Sequence, residues 1–425
     1  MRDMELQGRL PKVSVRFTSH QHAKYIGESI RSVLAQDFQD FDIEITDDCS
    51  TDNSVEIIRG FKDPRIHLKV QDHNRGVAST ATESLRRCRG EYTACMCSDD
   101  VWLPNKLSQQ VSFLDNHPEI EAVFTLVDII NEESQITTDS IFSNIFATTN
   151  KSRAEWLRQF FFSGNSLCIP SVLIRTATYK SLNGQNPTLS GLSDFDLWVR
   201  FCIKHDFYIL PEVLTQFRLR DDNGNESGYT IGNRLRCLLE MQHILGHFTK
   251  MEDLSLFVEA FPESKTYGIV TLELIPYFLS RIAMDTNIFY LQLFGYILLT
   301  EFMQIEENRI LLENKFSFYT SDLHNYSKRI DPHNIQTINA LQRQNEALEN
   351  QLSEIQMEYS RSPIELAELR KLMESKDLEL SANKILLEKY RQVGGDTTWE
   401  FTNPLRALRL RAKRFFRRRS GKSDN

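Results

Sequence analysis

The chain has 425 residues, 41% of them hydrophobic and 25% charged, the make-up of a globular protein with material for two or three domains rather than a disordered or fibrous chain. Its formal charge of −8 is unevenly spread: residues 401–425 hold nine Lys or Arg against one Asp, a balance of +8, which leaves −16 on residues 1–400. An acidic body argues against nucleic acid as a partner, and the basic tail points to an anionic surface. Seven cysteines are scattered, and the only close pair, Cys95 and Cys97, sits at alternate positions of an apolar run. That spacing puts both on one strand face as small buried thiols, so a reducing compartment without disulfides is expected. Residues 1–5 lack the apolar stretch of a signal peptide, and the apolar region 286–300 is too short and, with Asn287 and Gln292, too polar to span a membrane.

In chain order, residues 12–17 are β-rich and are followed by Tyr25, Ile26, Ile30, Val33 and Leu34 at helical spacing. A second strand over 41–46 runs into Asp47-Asp48, with a helix near 53–61. A third strand over 65–70 leads through Asn74-Arg75-Gly76 to a helix near 77–88, and a fourth over 91–97 runs into Ser98-Asp99-Asp100. Strands alternating with helices at this interval predict parallel pairing in a doubly wound sheet. Thr18, Asp48, Asp99 and Asp100 then share the rim at the strand carboxyl ends, where open α/β sheets bind ligands. Two adjacent carboxylates there suit magnesium or manganese bound to a phosphate-bearing ligand. The alternative is that Asp99 and Asp100 cap a helix with Pro104 in its first turn. Neither G-x-G-x-x-G nor a P-loop follows any strand, so phosphate handling falls to a metal and individual side chains.

Residues 11 to about 222 resemble the family 2 glycosyltransferases. The resemblance rests on six pieces in the family's order: Val13-Ser14-Val15 through Thr18-Ser19, Ser32-Val33-Leu34-Ala35-Gln36, Asp47-Asp48-Cys49-Ser50-Thr51-Asp52, Asn74-Arg75-Gly76-Val77, Ser98-Asp99-Asp100, and Ser193 to Arg200. It implies the GT-A fold, a Rossmann-like nucleotide-sugar domain. By the same resemblance Asp48 holds the nucleotide base with Thr18 beside it, Asp99 touches the ribose, and Asp100 binds the divalent metal, manganese or magnesium, that bridges the diphosphate. Asp194 occupies the general-base position, accepting the acceptor hydroxyl's proton in a single inverting displacement. Read without the family, Asp194 is equally a carboxylate in the first turn of an amphipathic helix. Asp196 reads as structural, paired with Arg200 one turn on.

Four departures from the family's pattern stand out. His20-Gln21 replaces a common Tyr-Asn, Cys97 stands where an acidic residue is frequent, Ser193 stands where Glu commonly precedes the base, and Arg220 stands where many members carry a histidine after the last core strand. A guanidinium neutralises phosphate but does not ligate metal, so Arg220 bears on metal dependence. The Gln-x-x-Arg-Trp pattern of processive synthases is absent, which implies single or distributive addition.

Residues 120–175 are expected to build the acceptor side, with Trp156, Phe160, Phe161 and Phe162 either stacking on sugar or, as is commoner, forming core. The expected organisation is a GT-A domain at 11–225, a helical region at 226–333 without chemical motifs, a coiled coil at 334–393 and a basic amphipathic tail at 396–425. In the coil, Ile338, Leu341, Asn345, Leu348, Leu352, Ile355 and Tyr359 keep a heptad, and Asn345 at a core position would fix register in a homodimer. In the tail, Trp399, Phe401, Phe415 and Phe416 interleave with arginines, a pattern for lying on an anionic membrane surface. The expectation is therefore an inverting glycosyltransferase using a UDP- or dTDP-sugar and a glycan or lipid-linked acceptor in bacterial surface polysaccharide synthesis, at the inner face of the membrane. The rival readings are a degenerate transferase domain acting as a coiled-coil scaffold, and a nucleotidyltransferase. The second would need a glycine-rich segment after the first strand, and residues 18–24 contain no glycine.

Overall fold

The computed structural model describes residues 10–137, 145–220, 231–330, 335–361 and 374–385. The basic tail expected at 396–425 lies outside the described residues, as does most of the second half of the expected coil.

Strands β1 (Val13–Ser19), β2 (Phe41–Asp47), β3 (Ile66–Val70) and β4 (Tyr92–Cys97) are mutually parallel, in the spatial order β3-β2-β1-β4. Helices α1 (Ile26–Leu34), α2 (Ser54–Gly60) and α3 (Val77–Arg87) connect them. In α1 the buried residues Ile26, Ser29, Ile30 and Val33 recur on one face, which is why this segment winds as a helix and lies on the sheet. All seven residues of β1 and of β2 are buried, as expected of strands covered on both faces.

Beyond β4 the sheet becomes mixed, which the uniform doubly wound expectation did not include. A two-residue strand β5 (Val101–Trp102) follows the paired aspartates directly, and helix α4 begins only at Lys106, running to Asn116. Asp99 and Asp100 therefore cap no helix; they sit in the bend between two strands. Strand β6 (Ala122–Ile130) is followed by α5 (Arg153–Ser163), β7 (Leu173–Arg175), α6 (Thr176–Ser181), α7 (Ser193–Cys202) and β8 (Phe207–Arg218). The full order is β3-β2-β1-β4-β7-β6-β8-β5, with β7 antiparallel to β4 and β6, and β5 antiparallel to β8. A Rossmann-like parallel half joined to a mixed half is the GT-A architecture.

Helices α8 (Ile231–Leu245), α9 (Leu254–Ala260), α10 (Ile275–Met284), α11 (Phe289–Gln304), α12 (Glu306–Phe316) and α13 (Thr320–Ser327) form the helical region. It packs on the sheet domain. One cluster of buried apolar side chains runs from Phe124, Trp156 and Trp198 through Phe161 into Phe248, Phe261 and Phe294. Phe161 meets those last three rings edge-on at 5.1–6.2 Å, a favoured aromatic geometry. Trp156, Phe160 and Phe161 are thus core and not a sugar platform. On the other sheet face a second cluster joins α1, α4 and β1, and there Lys106 is fully buried, its Nζ donating to Gln110 Oε1 at 2.7 Å above the Trp102 ring.

Helix α14 (Ile335–Arg361) carries the heptad, and residues 374–385 form a helical segment beside it, with Lys384 Nζ 2.6 Å from Glu349 Oε1. Leu348 and Leu380 are buried, and so is Asn345, whose amide oxygen meets no partner among the described residues. All seven cysteines are free thiols.

Candidate functional site

Four parallel strands ending together bring Thr18, Asp48, Asp99 and Asp100 to one rim, because the in-register ladder levels Thr18 with Thr46 and with Cys97. Each carboxylate on this rim has a different environment. Both oxygens of Asp48 accept backbone N–H bonds from the loop after β3, from Arg75 at 2.7 Å and Gly76 at 2.9 Å. That loop turns through Gly76 at φ +84° and ψ 156°, a conformation essentially confined to glycine. Asp48 therefore shapes the loop as well as facing the rim, and Asn74-Arg75-Gly76 follows from backbone geometry.

The Ser98–Asp100 bend is fixed from two sides. From α1, Ser29 Oγ donates to the carbonyl oxygens of Ser98 and Asp100 at 3.0 and 2.6 Å. From the end of β8, Arg218 donates its backbone N–H to Asp100 Oδ1 at 2.9 Å and its Nε to the Asp99 carbonyl at 2.7 Å. The same buried guanidinium donates to Asn131 O at 2.9 Å and pairs with Glu28 Oε2 at 2.7 Å. Burial, reinforced by the neighbouring Asp99 charge and opposed by Arg218, pushes the Asp100 carboxyl well above the usual range. A buried carboxylate beside a second one is short of cationic charge. Hard oxygen donors of this kind, completed by phosphate oxygens, match magnesium or manganese, so the residues present fit such an ion.

His22 also enters the site, and sequence reasoning passed over it. Its Nδ1 lies 2.7 Å from Ser98 Oγ, and its Nε2 lies 2.9 Å from Arg220 Nη1 and 3.7 Å from Asp99 Oδ2. Arginine only donates, so Nε2 accepts and the ring proton sits on Nδ1, donated to Ser98. Burial lowers the His22 pKa, with Arg220 in the same direction and Asp99 opposed, consistent with that neutral tautomer. An imidazole from the β1 loop thus meets Arg220, at the position where the family resemblance leads one to expect a histidine. No local spacing links residues 22 and 220, and the contact exists only in the folded chain.

Asp194, in the last piece of the motif set, lies in the first turn of α7. Its Oδ1 accepts the Phe195 N–H at 2.8 Å and its Oδ2 accepts Asn165 Nδ2 at 3.1 Å, while Asn165 Oδ1 takes the Leu167 N–H at 2.9 Å and so fixes the amide's orientation. Burial raises the Asp194 pKa to about 6 against those hydrogen bonds. A carboxylate tuned near neutrality suits proton abstraction at physiological pH. The buried Cys168 thiol lies within electrostatic range of both Asp100 and Asp194: after burial, both push its pKa upward. The two carboxylates therefore lie within electrostatic reach of one thiol.

Asp196, two residues on, points away into the helical region. Its Oδ2 pairs with Arg200 at 2.6 Å, the expected one-turn pairing, and its Oδ1 with His247 Nε2 at 2.7 Å. With His243 these make one of two groups among the described residues whose ligand-type atoms lie within 4.8 Å; the other is Asp42, Glu44 and His67. Arg200 and His247 already satisfy the Asp196 carboxylate, which makes it a structural tie. Further along α8, Glu240 accepts the backbone N–H groups of Ser190, Gly191 and Leu192, immediately before α7. Sequence reasoning did not find it.

Residues 14–181 match the family model described as glycosyl transferase family 2. Among curated proteins the chain is 28% identical over 215 residues to the uncharacterized glycosyltransferase MJ1057 of Methanocaldococcus jannaschii, covering 49% of this chain and 71% of that protein. It is 32% identical over 122 residues, 29% of this chain and 48% of the relative, to the UDP-Glc:alpha-D-GlcNAc-diphosphoundecaprenol beta-1,3-glucosyltransferase WfgD of Escherichia coli. Among solved structures, residues 1–349 of S. aureus TarS align with a TM-score of 0.45 and 18% identity over 68% of this chain and 82% of that one.

Proposed function

Residues 14–181 match the glycosyl transferase family 2 model, and from that premise we propose an inverting enzyme that passes a sugar from a UDP- or dTDP-linked donor to a glycan or lipid-linked acceptor in surface polysaccharide synthesis. The observation that supports the reading is that the buried Cys168 thiol feels the charge of both Asp100 and Asp194, with Asp194 tuned to about 6. In this reading Thr18 and Asp48 receive the nucleotide base, the loop held by Asp48 walls its pocket, and Asp99 meets the ribose. Asp100, with Asp99 beside it, would hold manganese or magnesium. When bound, that ion offsets charge on the departing nucleoside diphosphate. Asp194 takes the proton of the acceptor hydroxyl as its oxygen attacks the anomeric carbon from the face opposite the diphosphate, which inverts that carbon. Asn165 holds the carboxylate in place without protonating it, since an amide nitrogen only donates a hydrogen bond.

WfgD's name states a diphosphoundecaprenol acceptor for that protein, and it supports the lipid-linked class proposed here. No described helix is long and apolar enough to cross a membrane, so a place at the inner membrane face rests on the charge pattern of residues 401–425. A homodimer through α14 belongs to the same proposal, supported by the heptad and by the unpartnered amide oxygen of buried Asn345.

The test is calorimetry with UDP, dTDP, GDP and their sugars, with and without manganese, on the wild type and Asp100→Ala. Manganese-dependent binding of one nucleotide, lost in the variant, is expected. No binding of any nucleotide would overturn the transferase reading in favour of the scaffold.

A further inference from the structure

Helix α7 begins without a side-chain cap: Leu192 holds the N-cap position and offers no side-chain acceptor. Order in the preceding loop comes instead from another part of the chain. Glu240, 7% exposed, reaches from α8 and accepts four hydrogen bonds from three consecutive backbone N–H groups. Ser190 donates to Oε1 at 2.8 Å, Gly191 to Oε1 and Oε2 at 3.2 and 3.1 Å, and Leu192 to Oε2 at 2.7 Å. A run of backbone N–H groups converging on one carboxylate is an anion nest filled by the protein's own side chain. A side chain at Gly191 would crowd the approach. A Cβ there would lie 3.2–3.3 Å from the Arg236 guanidinium and the Cys237 thiol, tighter than ordinary contact.

Only Ser193 separates this nest from Asp194. We infer that Glu240 is a positioning residue for the Asp194 base, so that the helical region, through α8, completes the acceptor half of the active site. The inference rests on reading Asp194 as the base. Its physical content is orientation: the Glu240 carboxylate sets where α7 starts, and the start of α7 sets where the Asp194 carboxylate points. Misplacing a catalytic group by about 1 Å costs on the order of a hundredfold in rate. Beyond Glu240, His243 of α8 and His247 of the 3-10 turn that follows it (Gly246–Lys250) lie 3.7 and 2.7 Å from Asp196 Oδ1, so α8 and its C-terminal extension grip the start of α7 at two points.

Glu240 also acts through its charge. The charged or titratable groups near it are Arg236, whose Nε lies 3.7 Å from Oε1, Cys237, and Asp194 itself. The negative charge of Glu240 is one of the causes that raise Asp194. Removing that charge while keeping an acceptor oxygen therefore lowers the pH at which the base becomes active. A purely structural contact would leave that pH unmoved.

The experiment compares the full chain with Glu240→Gln, Glu240→Ala and Asp194→Asn. Nucleotide release from UDP-glucose and UDP-N-acetylglucosamine is followed against pH, and hydrogen–deuterium exchange across residues 190–195 is measured alongside. Glu240→Ala is expected to lower kcat by between about tenfold and a hundredfold with the donor KM unchanged, and to expose the 190–192 amides to exchange. Glu240→Gln is expected to keep most of kcat and to move the acidic limb to lower pH. Should Glu240→Ala fail to fold, the glutamine variant decides. Should neither sugar nucleotide turn over, a carbon-13 titration of the Asp194 carboxyl in wild type and Glu240→Gln decides, and an unchanged midpoint overturns the inference. Wild-type kcat and pH profile in both Glu240 variants, with Asp194→Asn inactive, would overturn the role of Glu240 and leave the base intact. Full activity in Asp194→Asn would instead remove the base reading, and the inference with it.

Discussion

Replacing Arg218 by methionine removes the guanidinium that ties the end of β8 to the Asp99–Asp100 bend, while keeping most of the apolar stem. The backbone bond to Asp100 survives, because it comes from the main-chain N–H. The carbonyls of Asp99 and Asn131 lose their charged donor, and Glu28 loses its partner. Glu28 is 38% exposed and rehydrates, so that pair counts for little. Two carbonyl acceptors left short inside the protein cost about 1–3 kcal/mol each, and about 3 kcal/mol in total is the working figure, at the lower end of what breaking a buried charge pair costs. For a cooperative unit of this size each kcal/mol moves Tm by about 2–4 °C, so a fall of about 6–12 °C is expected. Differential scanning fluorimetry reads it directly, and calorimetry with nucleotide should show weaker binding as the bend loosens. A Tm within about 2 °C of wild type, with unchanged nucleotide affinity, would refute the reasoning. It would mean that α1, through Ser29, holds the bend alone.

Asp194→Asn should cost about a hundredfold to ten-thousandfold in turnover without loss of nucleotide binding, and the wild-type rate should fall as pH drops through about 6. Because folding raises this pKa, the folded state binds the proton more tightly, and the residue's stability contribution declines as pH rises from the ordinary carboxylate range through about 6. Melts at pH 4.5 and pH 8 should accordingly show Asp194→Asn gaining on the wild type only at the higher pH. Lys106, lowered to about 7 by burial, has the opposite profile: its penalty is full below pH 7 and relaxes as pH rises toward lysine's ordinary range. Lys106→Met should therefore raise Tm more at pH 7 than at pH 9, and equal gains at both would count against a neutral buried amine. Gly76→Ala meets no atom within 4 Å of the new Cβ, so its cost is conformational alone, about 1–3 kcal/mol. A lower Tm with weaker nucleotide binding is expected, and an unchanged Tm would show that the loop can relax away from its φ of +84°.

The rim of aspartates at the strand ends was legible because its logic is local. A β-rich run followed by a carboxylate, repeated through parallel units, puts each acidic residue at a strand end, and the ladder of β1 with β2 and β4 levels them. Asp194 is singled out in the sequence only by the ordered motif set, and the burial that raises its pKa to about 6 is something sequence does not carry. The supports were not legible. His22 meets Arg220 across 198 positions, Arg218 meets the Asp99 carbonyl across 119, and Glu240 meets Leu192 across 48. Arg218 and Glu240 make their key bonds to backbone groups, and a bond to backbone leaves no residue-type signature at its other end. The alternative that Asp99 and Asp100 cap a helix fails for a related reason. Pro104 does announce the helix that begins at Lys106, but β8 offers Val101 and Trp102 a pairing edge, and that distant edge puts a short strand between the aspartates and the helix.

The two supports also bear on how such enzymes can be recombined. The family match ends at residue 181, yet the carboxylate that seats the α7 loop stands at 240 and the guanidinium that braces the aspartate bend at 218. A chimera that exchanges acceptor-side segments between relatives at a junction between Arg218 and Glu240 would part a loop from the side chain that orders it. The productive junction lies beyond Lys250, where the aspartate rim, α7, α8 and His247 travel as one inheritable block.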